Sequence, residues 1–94
     1  MAVRFDDIEI DDHIVDKIES KHGVKPYEVE EVCYSPSARL RRGRAGLYRL
    51  FGPTEGGRLF LVVLAEKGPN VWRVVTARQM TDAERRLYGR KTGA

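Results

Sequence analysis

Val71-Trp72-Arg73-Val74-Val75-Thr76-Ala77-Arg78 runs, after Gln79 and Met80, into Thr81-Asp82-Ala83-Glu84-Arg85-Arg86-Leu87-Tyr88. The first eight residues are rich in β-branched and aromatic side chains and read as a strand. The next eight read as a helix with a reciprocal start signal. Thr81 can accept from the Glu84 amide while the Glu84 carboxylate reaches back to the Thr81 amide. Met80, Ala83 and Leu87 give that helix an apolar side. Strand alternation predicts that Trp72, Val74, Thr76 and Arg78 share one face. Arg78 would then end the row at the sheet edge, one short turn from Glu84 and Tyr88. A guanidinium, a carboxylate and a phenol on rigid elements suit a phosphodiester. A surface arginine, a capping glutamate and a packing tyrosine would read the same way.

Upstream, the pattern has period two from about residue 38, with turn chemistry at regular intervals. Strands are expected near 38–43, 46–52, 58–66 and 70–78, punctuated by Gly43 and Gly46, by Gly52-Pro53 and Gly56-Gly57, and by Gly68-Pro69-Asn70. Short connections make this a four-stranded antiparallel meander. Leu59 to Leu64 is apolar on both faces and belongs in the centre. The strand with Arg39, Arg41 and Arg42 looks like a protected edge. Two helices precede the sheet. One starts near Asp11 or Asp12, carries Ile14, Val15, Ile18 and His22 at helical spacing, and stops at Gly23. The second opens at Pro26 and ends at Ser35-Pro36. The expectation is one α+β domain over residues 1–94, with 89–94 as a frayed tail.

A chain of 94 residues is near the small end of what folds without staples. Cys33 is the only cysteine, so no intrachain disulfide can form; among Val29, Val32 and Tyr34 it reads as a small buried hydrophobe. His13 and His22 lack partners at metal-ligand spacing, so no metal or other cofactor is expected. The amino terminus has no signal-peptide core, and the longest apolar run, Leu59 to Ala65, is too short to span a bilayer. A cytoplasmic protein without membrane association is the expectation. Charge is divided: residues 1–35 carry ten acids and four Lys/Arg, a balance of −6, and residues 36–94 carry thirteen Lys/Arg and four acids, a balance of +9. Arginine far outnumbers lysine, and its planar fork suits phosphates. The basic part therefore points to an anionic partner, or else to a solvated arginine face.

Lys21-His22-Gly23-Val24, Gly57-Arg58-Leu59, Arg73 to Arg78 and Glu84 to Tyr88, in that order and spacing, resemble the BrnT family over roughly residues 14 to 88. These are toxins of bacterial type II toxin–antitoxin systems with a RelE-like fold. The family's opening aromatic-Trp-Asp element is replaced here by Phe5-Asp6-Asp7. The resemblance implies an endoribonuclease acting on cellular RNA and neutralised by a co-encoded DNA-binding antitoxin of the BrnA kind. Operator DNA would be bound only through that antitoxin.

RNA carries its own nucleophile, the 2′-hydroxyl, so the protein must supply positive charge, a proton acceptor and donor, and a surface for splayed bases. Arg78 and Arg49 are candidates for stabilising charge, with Arg73 in reserve on the other strand face. His22 is the acid/base candidate by its ordinary pKa, and Glu84 is the alternative. Tyr88 or Tyr48 can stack a base or donate to phosphate. Lys21, Arg41 and Arg42 are candidate phosphate ligands. Each has an ordinary alternative: Arg49 as an exposed strand residue, His22 as a helix-end group satisfying carbonyls, Tyr88 as packing. Two other functions compete with the enzyme: a catalytically inert RelE-like domain, and a small basic nucleic-acid-binding module.

Overall fold

The computed structural model describes residues 5–91. Its elements are β1 (Asp7–Glu9), α1 (Asp12–His22), α2 (Pro26–Cys33), β2 (Arg39–Arg42), β3 (Leu47–Pro53), β4 (Leu59–Gly68), β5 (Val71–Gln79) and α3 (Asp82–Lys91). They form one five-stranded mixed sheet in the order β1-β5-β4-β3-β2. The four expected strands are present and antiparallel, with β4 central and β2 at an edge. The four-stranded meander needs one correction: β1 pairs with β5 in parallel, Ile8 opposite Trp72. Three residues with acids on either side of one isoleucine are too short and too polar to show a period. What fixes them is tertiary, since the amides of Asp6 and Asp7 both donate to the Asn70 carbonyl at 2.8 and 3.3 Å.

The signals at Gly23, Pro26 and Thr81 act as read, whereas Asp11 caps α1 without a side-chain hydrogen bond and the apolar side expected of the last helix is not buried, Ala83 and Leu87 being exposed. Gly23 takes φ 64° as the left-handed C-cap of α1, its amide bonded to the Glu19 carbonyl. Pro26 opens α2, where the Glu28 carboxylate accepts from the Lys25 amide at 3.0 Å. In α3 the Thr81 amide donates to Glu84 Oε1 at 2.8 Å and the Glu84 amide to Thr81 Oγ1 at 3.2 Å. That helix continues to Lys91, so the expected tail from 89 is too long; residues 92–94 lie outside the described residues.

Helices α1 and α2 cover one face of the sheet. Ile18, Val24, Val29, Val32 and Cys33 pack there on Leu50, Phe60, Val62, Leu64, Trp72, Val74 and Ala77. Burial pushes the Cys33 thiol up to about 12, leaving it an inert hydrophobe. Trp72 is buried between Phe5 and Tyr48, with ring centroids 5.5 and 5.3 Å away. The helix layer is clamped to the sheet by Arg58, whose guanidinium bonds both oxygens of the buried Glu28 at 2.9 and 3.2 Å.

A bulge corrects the expected face of β5. Leu64 pairs with Val74 but Val63 with Thr76, so Val75 is an extra residue and the alternation inverts there. Trp72, Val74 and Ala77 face the helices, whereas Arg73, Thr76 and Arg78 face the other side. Arg78 therefore does not share a row with Trp72 and Val74.

Candidate nucleic-acid interface

The inverted alternation gathers arginines on the sheet face opposite α1 and α2. Residues paired across neighbouring strands share a face, so the register defines its rows. One row runs Arg39, Phe51, Leu61, Arg78 and the next Arg41, Arg49, Val63, Thr76. Arg73 follows beside Ala65. Leu61 is buried, but Phe51 and Val63 keep part of their surface in contact with solvent.

Helix α3 straps across the first row. At its start Glu84 Oε1 and Oε2 accept from Arg78 at 2.8 and 3.0 Å, a bidentate pair on β5. Near its end the Tyr88 hydroxyl donates to the Ser37 carbonyl at 2.8 Å, just before β2. An open groove of about 1250 Å³ in all wraps round the β2 edge, from Phe5, Asp6 and Tyr34 at the helix layer to the strap, where Arg39, Arg41, Arg49, Phe51, Glu84 and Leu87 line it on this side.

Arg41 and Arg49 are the electrostatic feature of this face. They are direct cross-strand partners, which places their Cα atoms about 4.5–5.5 Å apart. Both are exposed, and neither pairs with an acid among the described residues. Like charges directly opposite one another cost stability, so an anion between them recovers energy the fold leaves unspent. The Arg49 guanidinium lies over the Phe51 ring, 5.8 Å from its centroid, a loose cation–π contact.

The other candidates divide by layer. Arg73 and Arg78 share the arginine face but are paired, Arg73 with Asp11 at 3.4 Å and Arg78 with Glu84. Hydrogen bonding from Arg78 and Thr81 holds the Glu84 carboxyl down to about 2. At neutral pH it is a committed anion with little tendency to take up a proton, the opposite of what a general base needs. The Glu84 hydrogen bond in turn raises Arg78, keeping it charged. Tyr88 is buried, and burial raises its phenol; it serves as the strap's anchor and offers no open ring. Lys21 and His22 end α1, in the layer on the opposite side of the sheet. The His22 side chain has no hydrogen-bond or ion-pair partner among the described residues. Tyr48 and Arg42, paired with each other, also face the helix side, with Arg42 5.9 Å from the Tyr48 ring centroid and the Tyr48 ring edge-on to Trp72. The structure thus brings Arg41, Arg49, Arg73, Arg78, Glu84 and Tyr88 around one face and leaves Lys21, His22, Arg42 and Tyr48 on the other.

Arg39 and Phe51 belong to the same face without having been singled out. The signal was available, since 39 and 41, and 49 and 51, are spaced by two and paired strands share faces. The clamp between Arg58 and Glu28 had no local signal, because its partners are thirty residues apart. Among the described residues no group of His, Cys, Asp and Glu converges as a metal site, and no helix is long and apolar enough to cross a membrane.

Fold and face together define a small α+β domain with one sheet surface packed by helices and the other basic and open. That architecture is BrnT-like: the chain superposes on the crystal structure of the Brucella abortus ribonuclease toxin BrnT with a TM-score of 0.68, covering 81% of this chain and 97% of that one. The two sequences are 19% identical, and what they share at that level is the fold. No family model and no curated protein matches the sequence.

Proposed function

We propose that this chain is a metal-independent endoribonuclease, the toxin of a type II toxin–antitoxin pair acting in the cytoplasm. The observation that carries the proposal is the unpaired cross-strand couple Arg41–Arg49 on the open face of a BrnT-like fold. RNA enters with a phosphate at these two guanidiniums. Its 2′-hydroxyl attacks the adjacent phosphorus, the 5′-oxygen leaves, and a 2′,3′-cyclic phosphate results. Arg41 and Arg49 stabilise the charge gathering on the phosphorane, where preorganised cations act most strongly. Arg78, locked by Glu84, holds α3 beside them. The 2′-hydroxyl proton passes to water and water returns one to the departing 5′-oxygen, because Glu84 is committed as an anion and His22, in the opposite layer, lies out of hydrogen-bond reach of a phosphate held by Arg41 and Arg49. A co-encoded DNA-binding antitoxin covers the arginine face, and operator DNA is bound through that partner.

A second reading is favoured by one observation: Glu84, the carboxylate beside Arg78 on the arginine face, is a poor base. On that reading the domain binds RNA and leaves it intact. Expression with and without the neighbouring gene, followed by mapping of RNA ends, separates the two. Growth arrest with new cyclic-phosphate ends, insensitive to EDTA and abolished by a 2′-deoxy substitution at the cut, supports the enzyme. Cleavage of the deoxy-substituted strand, or strict dependence on a divalent ion, overturns the mechanism. Intact RNA leaves the binding module. His22→Gln tests that assignment: an unchanged pH–rate profile is expected, and a changed one puts His22 in the reaction and moves the scissile phosphate away from Arg41 and Arg49.

A further inference from the structure

The groove holds more than positive charge. Phe51 is the aromatic residue of the arginine rows, directly opposite Arg39 and two residues from Arg49 on the same face. Its ring is part-exposed and only loosely attended, because the Arg49 guanidinium lies at the long end of cation–π distance. Across the groove Leu87 is 57% exposed, an apolar side chain on an otherwise polar helix surface with no core to enter. The tyrosines are not on this face as open rings: Tyr88, on α3, is turned inward and buried, Tyr48 faces the helix layer, and the exposed Tyr34 lies at the end of α2 with its hydroxyl donating to the Phe5 carbonyl.

We propose that Phe51 is a nucleobase platform: an unpaired nucleotide of single-stranded RNA lays its base on the Phe51 ring against Leu87, with its flanking phosphates on Arg41 and Arg49. The inference rests on the reading that the arginine face binds RNA and adds which form of RNA it takes. Charge complementarity selects the occupant. An apolar peptide would leave two adjacent guanidiniums desolvated and unpaired, whereas a nucleotide offers an anionic phosphate and a π-face in one unit. Duplex RNA presents phosphates but keeps its base faces stacked, so it can satisfy the arginines and not Phe51. The platform therefore discriminates single strands from duplex, while the arginines alone do not.

Binding of a short oligouridylate and of a blunt RNA duplex of the same length, both 2′-O-methylated to prevent cleavage, tests the proposal across a salt series. Phe51→Leu keeps an apolar side chain for folding and removes the π-face; Leu87→Ser acts on an exposed position and spares the core. Each is expected to weaken oligouridylate binding, Phe51→Leu by about five- to a hundredfold, the range for losing one base–aromatic stack. Duplex affinity and the slope of log affinity against log salt stay as in the parent protein, because no phosphate contact is lost. Phe51→Tyr retains the ring and restores single-strand binding. If Phe51→Leu binds oligouridylate as the parent does, or weakens both RNAs equally, the platform is overturned while RNA binding by the arginines stands. If Arg41→Ser with Arg49→Ser leaves both affinities unchanged, the parent reading falls and the platform with it.

Discussion

Arg41 and Arg49 show how one pair can serve recognition at the expense of stability. A cross-strand pair of like charge costs roughly 0.2–1 kcal/mol, and nothing acidic among the described residues offsets it. Arg41→Thr puts a β-branched residue at an exposed edge position and removes the repulsion. Its melting temperature should rise by about 1–8 °C, given roughly 4–8 °C per kcal/mol for a domain of this size. RNA affinity should fall together, with the salt slope reduced by about one. Melting followed by circular dichroism and binding by fluorescence anisotropy read the two effects. A variant that loses stability and keeps RNA affinity would remove the pair from the interface.

At the scale of elements, α3 depends on a few groups near its ends. Its carboxylate Glu84 caps the helix and grips Arg78, and these bonds hold its folded pKa well below the unfolded value of about 4.3. A depressed carboxyl stabilises the folded state above its unfolded pKa, and that stability is lost as pH falls through the folded pKa. The strap should therefore loosen between about pH 5 and 2, and Glu84→Gln should flatten that part of the melting-temperature curve. An equally steep curve in Glu84→Gln would place the acid sensitivity elsewhere. The opposite layer is sensitive to volume instead. A Cβ on Gly52 would lie 3.2 Å from the Ala38 Cα and the Val32 Cγ1, where β3 passes beneath α2. Gly52→Ala should cost about 1–3 kcal/mol in chemical denaturation, since backbone and a packed core side chain must both yield. An unchanged midpoint would mean that α2 rides loosely on the sheet.

For the molecule as a whole, the acidic first third forms β1 and the helix layer, and the basic remainder builds the sheet and its open face. The sheet thus separates an acidic side from an arginine side, and anions are steered to the latter. Raising salt from about 50 to 200 mM should weaken RNA binding steeply, and removing Arg41 and Arg49 together should flatten the log–log slope. Affinity indifferent to salt would exclude phosphate contacts as its source.

Several features were settled by local chemistry alone. Gly23 had to end α1, Pro26 suited the start of α2, and Thr81 with Glu84 wrote the start of α3 into four residues. Period two, with glycine-bearing turns, placed four strands to within about two residues, and apolarity on both faces put β4 in the centre. The −6/+9 division came from counting. Facing was different, because a face is a relation between strands. One extra residue at Val75 turned Arg78 away from Trp72 and onto the side of Arg49, and no property of Val75 itself announces a bulge. β1 exists because the Asn70 carbonyl receives its first amides, a partner more than sixty positions away. Glu84 kept its capping role in both readings, but its grip on Arg78, which withdraws it from base chemistry, required the inverted strand to bring the guanidinium into reach. Elements follow from neighbours in the chain, whereas the composition of this site follows from which face each neighbour is made to share.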